Sequence, residues 1–131
     1  MRNLIFVGLF STIILIIFIA CSTNDEDIVV YKKNTLNGKW HLANYGGGFS
    51  GQFTQYKRGR VTWDFDTINN TVDIRSKQDY FGPLNGSYPY EFRPTAQNDT
   101  VLCLNDSVQG ILYINDAELV FSSVLIATFK R

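Results

Sequence analysis

Few side chains in this sequence could do chemistry. His41 is the single histidine, and it stands beside Trp40 with no cysteine or second histidine at metal-ligand spacing. In an alternating stretch it reads as a wet-face strand residue, not as a general base. Asp64 and Asp66 share one face of residues 60–66, as a carboxylate pair would, but any amphipathic strand produces that spacing. Gly46-Gly47-Gly48 lacks the following helix that would make it an anion site. No Gly-x-Ser-x-Gly, phosphate loop or dinucleotide fingerprint occurs. The expectation is a protein that is not an enzyme and uses no metal and no cofactor.

The two cysteines have different surroundings. Cys103 sits in the apolar run Val101-Leu102-Cys103-Leu104 and reads as a small core residue, since a buried thiol with no basic neighbour is inert. Cys21 ends an uncharged run, Leu4 to Ala20, that follows Met1-Arg2-Asn3. That run is roughly 17 residues, about 25 Å as a helix, which also suits a short membrane anchor. Phe18-Ile19-Ala20-Cys21 resembles the lipobox of bacterial lipoproteins, with Phe18 in place of the usual leucine. The resemblance implies that Cys21 is diacylated, with palmitate-like chains, and then becomes the new amino terminus. Several acyl chains, at about 0.8 kcal/mol per buried CH2, would hold the protein at a membrane without a span. Ser22 to Asp27 carries three acidic side chains. That pattern resembles the surface-export signal of Bacteroidetes-type lipoproteins and equally suits a solvated linker. The expected organisation is a signal peptide over residues 1–20, an acylated tether over 21–34 and one domain over 35–131. The expected location is the outer membrane, on its periplasmic face or at the cell surface.

Charge narrows the partners. Twelve basic side chains balance twelve acidic ones, and losing Arg2 with the leader leaves the body near −1. Such a body has no electrostatic pull on nucleic acid, and Lys57-Arg58-Gly59-Arg60 is too short a cluster to supply one. With Cys21 acylated, Cys103 has no disulfide partner in the chain. About a hundred residues are enough for one real core, and a monomer is expected.

The elements that must position any site read as strands throughout. Residues 38–45 alternate with Trp40 and Leu42 on one face. Val61, Trp63 and Phe65 alternate with Thr62, Asp64 and Asp66, and residues 71–75 return with the same period. Residues 86–92 place Tyr88, Tyr90 and Phe92 on one face, with Pro89 marking an edge or a bulge. Residues 100–104, 110–114, 117–122 and 125–130 complete eight candidate strands, with no convincing helix. Two long irregular loops, 49–58 and 77–85, interrupt the series. Alternation directs Trp63, Phe65, Tyr88, Tyr90, Phe92, Tyr113, Phe121 and Phe129 inward. The expected fold is all-β, an eight-stranded up-and-down barrel that closes its own edges, with a two-sheet β-sandwich as the alternative.

Gly38-Lys39-Trp40 at the start of the first strand is like the Gly-x-Trp signature of lipocalins, with Lys130 or Arg131 available to stack on the tryptophan. Leu36-Asn37-Gly38-Lys39-Trp40, Val61-Thr62-Trp63-Asp64-Phe65, Gly86-Ser87-Tyr88-Pro89-Tyr90 and Ala117-Glu118-Leu119-Val120, in that order, resemble the small lipocalin-like lipoproteins of Bacteroidetes. The resemblance spans residues 36–131 and implies a barrel that binds a small apolar or amphipathic ligand. The C-terminal helix and disulfide usual in lipocalins are missing from the pattern. Trp63, Phe65, Tyr88, Tyr90, Phe92 and Tyr113 are the candidate ligand-binding residues, although an aromatic face at strand spacing also suits a filled core. A second reading is an interaction or inhibitor protein using the aromatic loops 49–56 and 79–84, which could equally fold back as a lid. Thr67, Thr100 and Ser107 each follow an aspartate in a triplet resembling the O-glycosylation motif of exported Bacteroidetes proteins.

Overall fold

Alternation of apolar and polar side chains runs through almost every strand, and it buries one face of each around a common axis. The computed structural model describes residues 33–131. The leader, Cys21 and the acidic tether lie outside the described residues. The strands are β1 (Gly38–Gly47), β2 (Gln52–Gln55), β3 (Val61–Asp66), β4 (Thr71–Ser76), β5 (Gly86–Pro94), β6 (Thr100–Leu104), β7 (Ser107–Ile114), β8 (Glu118–Ser122) and β9 (Leu125–Lys130). All neighbours are antiparallel, and β1 pairs with β9 to close the sheet. The architecture is therefore a closed eight-stranded up-and-down barrel with one extra strand, not a sandwich.

The extra strand is β2, in a segment that reads as loop from its Gly- and Gln-rich sequence. It forms because β1 is longer than β3. Gly38 to His41 pair with β3, while Asn44 to Gly47 pair with β2 on the same side. All four β2 residues are exposed, so no buried face marked them as a strand.

Two bulges change the phase of the side chains. In β1 the register against β9 shifts between Leu42 and Asn44, so Tyr45 turns to the same side as Leu42. In β7 the register shifts opposite Leu102 and Cys103, where Gly110 and Val108 are the successive partners. Gly110 carries φ +143°, and a Cβ there would lie 2.8 Å from the Ser122 carbonyl oxygen, so β7 and β8 approach at a distance only glycine allows.

One end of the barrel is closed. A helical turn at residues 33–36 places Leu36 under the strands, where Leu36 and Trp40 are fully buried. The Trp40 indole N–H donates to the Leu36 carbonyl at 2.8 Å. The Arg131 guanidinium lies 4.5 Å from the Trp40 ring centroid and donates to the carbonyls of Thr35 and Asn37. Arg131, rather than Lys130, is the basic residue that stacks on this tryptophan. Above this plug, Phe65 packs edge-on to Tyr90, and Tyr90 edge-on to Phe92, at centroid distances of 5.4 and 5.8 Å. The closing β1–β9 pair and a core drawn from residues 36–129 give residues 33–131 a complete barrel of their own.

Candidate functional site

The opposite end is open. There the barrel leaves a cavity of about 520 Å³ beneath the β4–β5, β6–β7 and β8–β9 connections. Its floor is an aromatic triad: Trp63 lies 5.4 Å from Phe121 and 5.1 Å from Phe129, and those two rings are 5.6 Å apart. Leu42, Leu104, Leu125 and Ala127 add apolar wall, and Asn105, Ser107, Gln109 and Ser123 stand toward the mouth. A hollow of this size with an apolar base and few polar groups is the usual form of a small-molecule site.

The loop 77–85 lies across the mouth and contributes Tyr80, Phe81, Gly82 and Pro83 to the lining. Three tyrosine hydroxyls tie it down. Tyr45 donates to the Phe81 carbonyl at 3.2 Å, Tyr80 to the Pro83 carbonyl at 2.7 Å and Tyr88 to the Leu84 carbonyl at 2.8 Å. Tyr80 also accepts a hydrogen bond from the Trp63 indole at 3.3 Å, so the lid is joined to the cavity floor. Burial pushes the Tyr80 phenol up to about 12, and it raises that of Tyr45 as well. The Tyr45 and Tyr80 hydroxyls therefore keep their protons for the lid carbonyls at ordinary pH.

Of the residues expected to meet a ligand, Trp63 and Tyr88 line the cavity. Phe65, Tyr90 and Phe92 belong to the packed lower half and do not reach it. Tyr113 is a correction: it is 54% exposed on the outer face, and Gly110 and Leu112 are the buried residues of β7. The run Ile111-Leu112-Tyr113-Ile114 is apolar at every position, so it carries no phase, and the bulge at Val108 to Gly110 in the same strand sets it. Sequence reasoning missed Tyr45, Asn105, Gln109 and Leu125. A bulge brings in Tyr45, and turn residues supply Asn105, so neither has a periodic signal.

The other chemically suggestive residues lie elsewhere. Asp64 is exposed opposite Asp73, with Lys39 on its other side. Asp66 is a turn cap, accepting from the backbone N–H groups of Ile68 and Asn69 and from the Asn69 side chain. Those hydrogen bonds hold its carboxyl below the usual range. His41 faces outward on β1 between Thr62 and Lys130. Burial, Arg58 and Lys39 lower its pKa. Cys103 is buried opposite Glu91 on β5, outside the main core cluster. Among the described residues, no group of three or more His, Cys, Asp or Glu could hold a metal ion. The Thr67 hydroxyl donates to Asn37, Thr100 opens β6, and Ser107 is exposed at the cavity mouth.

Exposed apolar side chains gather at the open end. Phe49, Phe53, Phe81, Leu84, Val108 and Val124 are all exposed there, while Ile68 and Tyr113 are the exceptions elsewhere. Phe81 stacks on Tyr45 with ring centroids 6.2 Å apart, which fixes the lid beside β1.

Fold and site together define a small closed β-barrel, plugged at one end and hollow at the other. No family model, no curated protein and no solved structure matches the chain.

Proposed function

We propose that this chain is a membrane-anchored lipoprotein, held by acyl chains on Cys21, whose barrel binds a small apolar or amphipathic molecule. The observation that carries the binding role is the cavity of about 520 Å³ with its aromatic floor. Ligand pockets fall in this range, and the mouth of a β-barrel is one of their preferred positions. The lid supports the same reading, because loops anchored on a rigid scaffold commonly gate access.

The anchor reading rests on Phe18-Ile19-Ala20-Cys21. The described chain begins at Lys33, at the closed end, so a tether from Cys21 joins the barrel opposite its mouth.

The test is native mass spectrometry on residues 22–131, which retain the whole closed barrel, after incubation with membrane and medium extracts of a native-type host. A retained small molecule, lost when Leu125→Trp fills the hollow, is the expected result. A well-folded barrel that retains no mass from any extract would sink the binding role. The exposed Phe49, Phe53, Phe81 and Leu84 favour a second reading in that case. Loops 49–56 and 79–84 would then dock a protein partner through their aromatic tips.

A further inference from the structure

Among the described residues, no Asp, Glu, Lys, Arg or His lines the mouth cavity. Asp64 and Lys130, next in sequence to the lining residues Trp63 and Phe129, are exposed, and the charged groups in the turns at the mouth are placed elsewhere. Asp106, between the lining residues Asn105 and Ser107, pairs with Arg93 at 2.6 Å, and Arg93 also meets Glu91. Lys77 and Asp79, in the lid, border a different hollow. The hydroxyls of the lining residues Tyr45, Tyr80 and Tyr88 donate their hydrogen bonds to lid carbonyls. What remains in them is acceptor capacity on Tyr45 and Tyr88, and Asn105 and Gln109 add side-chain amides to the same lining, the Gln109 amide already donating to the Ser107 carbonyl.

Building on the binding role proposed above, the geometry points to a neutral ligand: an apolar body with an uncharged hydroxyl or amide head. A hydroxyl head can donate to a tyrosine oxygen and accept from a side-chain amide, so its desolvation is compensated. A carboxylate or an ammonium would enter an apolar hollow with no opposite charge to meet it. Burial without a partner disfavours the charged form, by a factor of ten for each unit of pKa displaced. Depth adds a second restriction. Trp63, Phe121 and Phe129 close the floor, so the ligand occupies the upper half of the barrel only.

The experiment uses three probes of equal chain length, decanol, decanoate and decylamine, titrated calorimetrically into residues 22–131 at pH 7.5. Decanol is expected to bind, with decanoate and decylamine at least about tenfold weaker. Lowering the pH toward 5 should strengthen decanoate, as it becomes the neutral acid, and leave decanol unchanged. Gln109→Lys places a cation at the mouth and should bring decanoate up about tenfold at pH 7.5, with an unchanged melting temperature. Decanoate or decylamine binding as well as decanol to the wild-type chain would overturn the neutral class while leaving the cavity in use. A Gln109→Lys variant that folds and gains no affinity for decanoate would overturn it too. If no probe binds the wild-type chain, the binding role itself falls, and this inference with it.

Discussion

Arg131 does at the closed end what a single side chain rarely does, because it touches three parts of the plug at once. Its guanidinium covers the Trp40 ring and donates to two carbonyls in the turn that carries Leu36. Arg131→Ala removes the stacking and leaves those carbonyls to water, with an expected loss of about 1–2 kcal/mol. For a domain of this size that is a fall in Tm of about 5 °C or more, read by thermal denaturation. Arg131→Lys keeps a cation over the ring but not the fork, so its Tm should fall between the two. An Arg131→Ala chain melting with wild type would show that the latch stabilises nothing. His41 gives a pH signature at the same scale. Its folded pKa lies below the ordinary 6.5, mainly from burial, with Arg58 and Lys39 adding repulsion. The unfolded chain therefore takes up the proton first as pH falls. Its contribution is intact above about pH 6.5 and is lost as the pH drops toward the folded value. Urea midpoints at pH 7.5 and 5.5 should differ less in His41→Gln than in wild type. An equal drop in both would assign the acid sensitivity to other groups.

Strands rather than residues decide what could be read in advance. β3 and β4 alternate cleanly, and their pairing of Trp63 with Ile74 and Phe65 with Val72 follows from that pattern. β2 was illegible because both its faces are wet and its only support is the overhang of β1. Gly46 makes that pairing specific: a Cβ there would sit 2.1 Å from the Gln52 carbonyl oxygen and 2.8 Å from the Phe53 Cα. Those are backbone atoms, which cannot swing away. Gly46→Ala should therefore detach β2 while β1 stays closed against β3 and β9. Amide exchange is the readout: residues 52–55 lose protection and residues 61–66 keep it. Full protection at 52–55 in the variant would contradict the close approach. The bulge in β1 was equally hidden, since Ala43 carries no sign that the phase changes there, and it is what delivers Tyr45 to the lid.

At the scale of the whole molecule, strand order and closure were legible, because eight amphipathic segments in sequence bury their edges best by pairing the last with the first. The cavity was not. A hollow is the volume that inward side chains fail to fill, and a list of inward aromatics is the same whether they pack or leave a gap. Here they do both, in different halves. Phe65, Tyr90 and Phe92 fill the plugged half, and Trp63, Phe121 and Phe129 form a floor on which the upper half stands empty. This division predicts unequal costs for the same substitution. Leu119, fully buried opposite Phe129, belongs to the core cluster, so Leu119→Ala should cost about 2–5 kcal/mol. Leu125 borders the hollow and is only partly buried, and truncating it enlarges a space that already exists. Leu125→Ala should cost less than about 1 kcal/mol while changing the affinity for a probe such as decanol. Urea midpoints of both variants, measured beside the decanol titration, separate packing from binding. Equal losses of stability at the two leucines would mean that the upper half is as tightly packed as the lower.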